Sequence, residues 1–251
     1  MTAPIALQLY SIREELNIDF EAGVRKIAAM GYIGVEPAGF PGTTVEKAAK
    51  LFKELELEIP SVHTGMPIGE SKQQTLDMMH TLGSKCIVSG LGPENYLTTD
   101  LIKKSCEKFN EANAVAIENG MSLAYHNHWW EFLSVNNRPV YKIMLDYLKP
   151  EVLFELDTYW VKTAGLNPAD VVGELGKRIP LLHIKDGPCK QDESMTAVGD
   201  GIMNFNSIIE AGKTTVEWMI VELDRCDTDM MEAVEKSYTY LTSNKLAHGK
   251  I

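Results

Sequence analysis

The sequence has few cysteines, an excess of acidic over basic residues and no long apolar run. Only four cysteines occur in 251 residues, and the absence of CxxC spacing argues against a zinc ribbon and a disulfide framework. Lys and Arg number 24 against 35 Asp and Glu, a formal charge of −11, and so acidic a surface repels nucleic-acid phosphates. No stretch approaches the roughly 18 apolar residues of a membrane helix, and residues 1–11 lack the pattern of a signal peptide. We therefore expect a cytoplasmic protein that binds neither nucleic acid nor a membrane.

A glycine-rich phosphate loop is also absent, since the first predicted strand runs into LYSIREEL without a GxGxxG pattern. This disfavours an open doubly wound sheet. Short apolar or β-branched runs instead alternate with segments of helical periodicity. Eight strands are predicted, at residues 5–11, 33–38, 59–65, 85–90, 121–127, 152–158, 180–186 and 218–224. Because one βα unit needs about 30 residues, this spacing predicts a (β/α)8 TIM barrel that forms a single domain over residues 1–251.

The ends of the predicted helices carry residues that commonly begin or terminate helices. Gly31 and Gly83 follow helical segments, where a residue with positive φ ends the helix. Thr43 and Asn167 precede helical segments and fit N-cap positions. The predicted helices include residues 20–30, 44–55, 101–120, 167–178 and 229–241.

Polar side chains collect at the carboxyl ends of the predicted strands, which form the mouth of a barrel and usually carry its function. Asp157, His183 and Glu222 each lie near the end of a different strand, so they can converge on one point. Carboxylates and an imidazole around a shared point suit one divalent cation. Because no thiolate is in the set, Mn²⁺, Co²⁺ or Mg²⁺ is favoured, with Zn²⁺ as an alternative. For each residue alone, the alternative is a role in bracing a loop.

Four segments resemble the xylose isomerase-like TIM barrels of the sugar phosphate isomerase/epimerase family. They are FELDTYWVKTAGLNP, IPLLHIKDG, VGDGIMNF and WMIVELD. Relatives in that family include ketose 3-epimerases, inosose dehydratases and enzymes that act on 3-keto-sugars. The resemblance implies one divalent metal ion, held by Glu, Asp, His and Glu on strands five to eight. Asp157, His183 and Glu222 match the last three of these ligands.

The end of the fifth strand departs from the family pattern. Ketose epimerases place a glutamate there, whereas this sequence reads YHNH at residues 125–128. Either Glu131 or His126 completes the metal shell, and the family's preference for glutamate favours Glu131. His126 and His128 would then be free to exchange protons with the substrate. Trp129 is expected to wall the pocket, with packing between barrel and helix as the alternative.

Further candidates lie at other strand ends. Lys185 is expected to bind a substrate oxygen or to stabilise an enolate, or instead to pair with a buried Glu155 one layer beneath the metal. Glu36 and His63 end the second and third strands and are candidates for contacts with substrate hydroxyls. Trp160 is a candidate for stacking against a sugar face.

Such a site suits the removal of a proton next to a carbonyl group that a metal ion polarises. Glu222, together with Glu131 or His126, would share the acid and base roles. We therefore expect a metal-dependent isomerase or epimerase that acts on a small sugar or cyclitol through an enediolate. The alternatives are an inosose dehydratase or 3-keto-sugar lyase on the same metal site, and a degenerate sugar-binding barrel without activity. An abasic-site endonuclease is disfavoured by the charge. The oligomeric state stays open, with a homo-oligomer included.

Overall fold

The computed structural model describes residues 2–250, in which strands and helices alternate along the chain. The strands are β1 (Ile5–Gln8), β2 (Gly34–Glu36), β3 (Val62–His63), β4 (Cys86–Ser89), β5 (Ser122–His126), β6 (Leu153–Asp157), β7 (Leu181–Ile184) and β8 (Trp218–Val221). The helices are α1 (Arg13–Ile18), α2 (Phe20–Met30), α3 (Val45–Glu54), α4 (Lys72–Leu82), α5 (Thr99–Glu118), α6 (Val140–Tyr147), α7 (Thr158–Thr163), α8 (Pro168–Leu175), α9 (Phe205–Gly212) and α10 (Met230–Ser243). Within residues 2–250, no helix combines the length and the apolar character needed to cross a bilayer.

The eight strands form one parallel sheet in the order β2-β1-β8-β7-β6-β5-β4-β3. At the seam between β2 and β3, individual backbone hydrogen bonds bring the two edges together. Val35 N donates to Glu58 O at 2.9 Å, and His63 N donates to Pro37 O at 2.9 Å. A small antiparallel hairpin after β5 pairs residues 134–135 with residues 138–139. The predicted (β/α)8 TIM barrel is thus confirmed as a nearly closed barrel surrounded by helices.

The helix ends agree with the predicted caps except at one position. Gly31 and Gly83 terminate α2 and α4 with φ angles of 101° and 73°. The side chain of Asn167 accepts a hydrogen bond from the backbone at the start of α8. The N-cap of α3 is Thr44 rather than the predicted Thr43, because its hydroxyl accepts from the N–H three residues later, at 3.3 Å.

The barrel interior changes from apolar to polar along the strand direction, since alternate side chains of each strand point inwards. Two residues beyond Ala124 on β5 comes His126, and two residues beyond Leu181 on β7 comes His183. The polar side chains at the mouth therefore rest on a small apolar layer within the barrel. That layer consists of Ala6, Cys86, Val88, Ala124, Leu181 and Ile220.

Candidate active site and metal centre

Four side chains from neighbouring strands converge at the carboxyl end of the barrel. His126 and Asp157 end β5 and β6, His183 lies in β7, and Glu222 follows β8. Asp157 is paired with His183 in the register of β6 and β7, which places their side chains next to each other. One potential ligand atom from each of the four lies within 4.8 Å of the others, and all four residues are buried. The structure thus brings the three expected residues together, with His126 as the fourth member.

Glu131 lies outside this group, although the sequence favoured it as the fourth ligand. Its carboxylate accepts hydrogen bonds from the Tyr125 hydroxyl and, at 2.9 Å, from His128 N. Tyr125 points out of the barrel and packs against Phe109 of α5, with ring centroids 4.7 Å apart. A single 3-10 turn, Trp130–Phe132, directs Glu131 behind the barrel wall. Burial raises the pKa of Glu131 to about 8 despite its hydrogen bonds. The structure therefore does not bring Glu131 into the group of His126, Asp157, His183 and Glu222, and its expected ligand and acid–base roles stay predictions.

The ammonium group of Lys185 lies among three carboxylates. Its Nζ is 2.6 Å from Glu222 Oε2, 2.8 Å from Asp224 Oδ2 and 3.0 Å from Asp157 Oδ2. Burial opposes the charge on Lys185, but Asp157, Asp224 and Glu222 outweigh it and raise the pKa of Lys185 well above its usual value. The expected pairing with Glu155 does not form, because Lys185 follows the end of β7 at the mouth whereas Glu155 lies one layer deeper.

Two buried carboxylates lie beneath the ligand group and contact its histidines. Glu155 Oε2 is 2.9 Å from His126 Nδ1 and 3.1 Å from His183 Nε2. Glu36 Oε2 is 2.8 Å from His183 Nε2. Glu36 was expected to contact substrate hydroxyls, but its exposed fraction is 0%. The structure places Glu36 against an imidazole in the barrel interior instead of in the pocket wall.

A pocket of about 350 Å³ opens above the ligand group. Its volume falls at the lower end of the range of small-molecule sites, which begins near 300 Å³. His63 contributes to the wall as expected, with its ring centroid 4.8 Å from that of His126. Sequence reasoning missed Tyr10 and Thr64, although both follow strand ends, where a barrel carries its functional side chains. The lining residues are Tyr10, Ala38, His63, Thr64, His126, His128, Lys185, Glu222 and Asp224.

The tryptophans support the pocket from behind rather than forming its wall. His128 stacks on Trp130, with centroids 4.1 Å apart and planes at 12°. Burial, with Lys185 nearby, lowers the pKa of His128 to about 3, so its ring is neutral near pH 7. Trp129 packs edge-on against Trp130 at 5.6 Å, and Trp160 lies under Lys185, whose Nζ is 5.5 Å from the ring centroid. The structure does not place Trp129 or Trp160 in the lining of the pocket, and their expected contacts with a sugar stay predictions.

The carboxylate of Asp186 anchors the long loop that follows β7. Asp186 Oδ1 accepts from Gly187 N at 2.8 Å and from Met203 N at 3.1 Å. Asp186 Oδ2 accepts from Gly199 N at 2.9 Å and from Gly201 N at 3.1 Å. A Cβ atom on Gly201 would lie 2.1 Å from Asp186 Oδ1, so the close approach requires glycine there. The VGDG segment is thereby fixed beside the mouth of the barrel.

Comparisons with known families and structures relate this architecture to sugar-converting enzymes. A crystal structure of a sugar phosphate isomerase/epimerase from Parabacteroides distasonis ATCC 8503 is 26% identical, with a TM-score of 0.84 over 99% of this chain and 96% of that one. Two more distant structures share the fold. One is an L-ribulose 3-epimerase, which is 15% identical with a TM-score of 0.73 over 98% of this chain and 95% of that one. The other is the IOLI protein with a bound zinc atom, which is 17% identical with a TM-score of 0.74 over 96% of this chain and 97% of that one. No curated protein matches the sequence. The model of the xylose isomerase-like TIM barrel family matches residues 24–242, and the chain belongs to that family.

Proposed function

We propose that the protein is a divalent-metal-dependent sugar isomerase or epimerase that moves a proton at a carbon next to a carbonyl group. The observation that carries this proposal is the convergence of His126, Asp157, His183 and Glu222 at the base of a pocket of about 350 Å³. The similarity to the sugar phosphate isomerase/epimerase of P. distasonis supports the reaction class.

The ligand group fits a divalent cation in charge and chemistry. Asp157 and Glu222 supply two negative charges, and His126 and His183 supply two imidazole nitrogens, all buried. Two imidazoles shift the preference from Mg²⁺ towards Mn²⁺, Co²⁺ or Zn²⁺. The zinc atom bound to the IOLI protein, which shares the fold, agrees with this range. A bound cation would polarise the substrate carbonyl and stabilise the negative charge of an enediolate.

The proton transfers are assigned to side chains on different parts of the pocket wall. Glu222 lines the pocket, where its carboxylate can accept a proton from a substrate carbon above the group. His128 follows β5 and lines another part of the wall. Its neutral ring can carry a proton on that side. The positive charge of Lys185 lies in the pocket wall, where it can offset negative charge that develops on a substrate oxygen, an effect that is strongest in a buried site.

The pocket favours an uncharged sugar over a sugar phosphate. Lys185 is the single Lys or Arg side chain among the lining residues, and three carboxylates already surround it. Arg13 is the cation that follows in sequence after Tyr10 of the wall, but its guanidinium already donates to the backbone carbonyls of Tyr10 and Asp224, both at 2.9 Å. The carboxylates of Glu222 and Asp224 in the wall would repel a phosphate group. We therefore propose a ketose or a keto-cyclitol without phosphate as the substrate.

The proposal is tested by proton exchange, because every reaction of this class breaks a carbon–hydrogen bond next to the carbonyl. Metal-reconstituted protein is incubated in D₂O with ketoses, inososes and 3-keto-sugars, and deuterium incorporation is followed by NMR. Glu222→Gln should reduce exchange by about 10² to 10⁴-fold, the usual contribution of general acid–base catalysis. Glu210→Gln, a matched charge change on an exposed position of α9, should leave exchange unchanged. Near-native exchange in Glu222→Gln would remove Glu222 from the mechanism.

The same spectra separate isomerisation from elimination. An isomer or epimer retains every oxygen of the substrate, whereas a dehydratase or lyase yields an unsaturated product after exchange. Deuterium incorporation followed by loss of water would identify the protein as a lyase on the same metal site. No exchange with any of the three compound classes would contradict the proposed reaction.

A further inference from the structure

The two histidines of the ligand group are contacted by buried carboxylates through opposite ring nitrogens. Building on the metal site proposed above, we propose that His126 binds the cation through Nε2 and His183 through Nδ1. Glu155 and Glu36 fix this arrangement as positioning residues, acting through the imidazoles without touching the cation or the substrate.

The orientation of His126 follows from the pairing of β5 with β6. His126 and Glu155 are partners in the register of these strands, and both side chains point into the barrel. His126 Nδ1 lies 2.9 Å from Glu155 Oε2. A neutral imidazole carries one N–H, and the nitrogen that faces a carboxylate holds it. Nε2 of His126 is then the nitrogen with a free lone pair.

His183 has the opposite orientation. Its Nε2 lies 2.8 Å from Glu36 Oε2 and 3.1 Å from Glu155 Oε2. Its Nδ1 instead faces the ligand group, 2.8 Å from Glu222 Oε2. Both nitrogens of His183 thus face carboxylates, but Glu222, which faces Nδ1, is itself a proposed ligand of the cation, whereas Glu36 and Glu155, which face Nε2, are not. The N–H is therefore placed on Nε2, and Nδ1 is left for the cation. One oxygen of Glu155 thus contacts both rings, on the δ nitrogen of one and the ε nitrogen of the other.

The contacts of the two carboxylates point to a role in orienting the rings. Glu36 and Glu155 both have an exposed fraction of 0%. Among the described residues, the second oxygen of each, Oε1, has no hydrogen-bond partner. Burying a carboxylate with an unpartnered oxygen costs stability, so packing alone does not account for these residues. Carboxylates behind histidine ligands fix the tautomer and raise the basicity of the coordinating nitrogen.

The first test reads the nitrogens directly. Protein labelled with ¹⁵N-histidine is loaded with Zn²⁺, and two-bond ¹H–¹⁵N correlations are recorded for the six imidazoles. We expect His126 protonated at Nδ1 and His183 protonated at Nε2, with the metal-induced shift on the other nitrogen of each ring. Coordination of both rings through the same type of nitrogen would overturn the inference and leave the metal site intact. If the wild-type protein fails to bind Zn²⁺, Mn²⁺ and Co²⁺, the metal site itself is refuted.

The second test removes the acceptors. Glu36→Leu and Glu155→Leu should each weaken Zn²⁺ binding by about 10 to 100-fold, the usual cost of losing a partner behind a metal ligand. Glu36→Gln keeps the shape of the side chain and one acceptor oxygen, so it should recover much of this loss. Glu131→Gln changes an equally buried carboxylate whose hydrogen bonds go to Tyr125 and to the backbone of His128 and to no imidazole ring, and the Zn²⁺ affinity of this variant should stay within about twofold of wild type. Leucine variants that fold and bind Zn²⁺ as tightly as wild type would overturn the inference. If they do not fold, unchanged His183 correlations in Glu36→Gln support the inference, and a switched tautomer overturns it.

Discussion

Replacing Glu131 by glutamine should make the protein more resistant to unfolding at alkaline pH. Glu131 is fully buried and accepts hydrogen bonds from the Tyr125 hydroxyl and His128 N. A glutamine can keep both contacts, since its carbonyl accepts from His128 N and its amide donates to the Tyr125 oxygen. The Tyr125 hydroxyl can then donate to Tyr96, whose oxygen is 2.6 Å away. Glutamine cannot ionise, so the substitution isolates the effect of the charge.

The magnitude follows from linkage between ionisation and folding. Burial raises the pKa of Glu131 from 4.5 to about 8, so the folded state favours the protonated carboxyl group. Its contribution to stability is fully present below pH 4.5 and is lost as the pH rises through 8. The complete loss corresponds to about 5 kcal/mol, at about 1.4 kcal/mol for each pH unit between the two pKa values. Between pH 5 and pH 8.5 the wild type should lose about 4 kcal/mol relative to Glu131→Gln.

The assay is urea unfolding of metal-chelated wild type and Glu131→Gln, followed by tryptophan fluorescence between pH 5 and pH 8.5. The difference between their free energies of unfolding is the measured quantity, because groups common to both proteins cancel. Glu235→Gln on α10, which is exposed, controls for the loss of one charge. A difference that varies by less than about 1 kcal/mol over this range would refute the ionisation argument.

Three further outcomes are expected. His126→Ala should weaken Mn²⁺ binding by more than about 100-fold, above the usual loss for a residue behind a ligand, whereas Glu131→Gln should retain it. Calorimetric titration measures the Mn²⁺ affinity of both variants. A loss of affinity in Glu131→Gln but not in His126→Ala would make Glu131 the ligand. Asp186→Ala leaves four backbone N–H groups without their acceptor, which should cost about 3 kcal/mol or more. Its thermal midpoint should fall by at least about 6 °C, and an unchanged midpoint would contradict the anchoring role. Chelation should destabilise protein held at a free Mn²⁺ concentration 100 times the dissociation constant by about 2.7 kcal/mol, and an unchanged midpoint would argue against cation binding by the folded state.

The barrel was predictable because its local signals agree with its tertiary contacts. Each of the eight strands lies inside its predicted segment, since strands covered by helices on one face and by the barrel interior on the other are apolar along most of their length. Helix α7 was not predicted. It begins directly after Asp157, whose Oδ1 accepts from Trp160 N at 3.0 Å, so the cap of the helix is the same residue as a site carboxylate. A six-residue helix that starts at a strand end has too few turns to show helical periodicity.

Within the candidate site, the direction of a side chain was predictable for residues inside a strand and not for residues in the loop that follows it. His126 shares a face of β5 with Ala124, and strand alternation alone directs both side chains inwards. Glu131 lies five residues beyond the end of β5, and its direction depends on a 3-10 turn and on the position of Tyr125 outside the barrel. Sequence spacing contains no information on that direction. The family's preference for glutamate and the geometry of this chain therefore point to different side chains, Glu131 and His126.

The imidazole at the end of β5 also changes the electrostatics of the mouth. A ligand group of His126, Asp157, His183 and Glu222 carries two negative charges, which a divalent cation balances. A third carboxylate among the ligands, as in the family pattern, would add one more negative charge to a site that already has Glu36 and Glu155 beneath it. With a cation bound as proposed, Asp157 and Glu222 would face the cation, and Asp224 would be the nearest remaining counter-ion of Lys185, at 2.8 Å. Since Asp224 is partly exposed and its charge is screened by solvent, the ammonium group can still stabilise a developing enediolate oxygen. With the proposed cation bound, this arrangement would favour reactions that accumulate negative charge on the substrate, as proton transfer next to a carbonyl does.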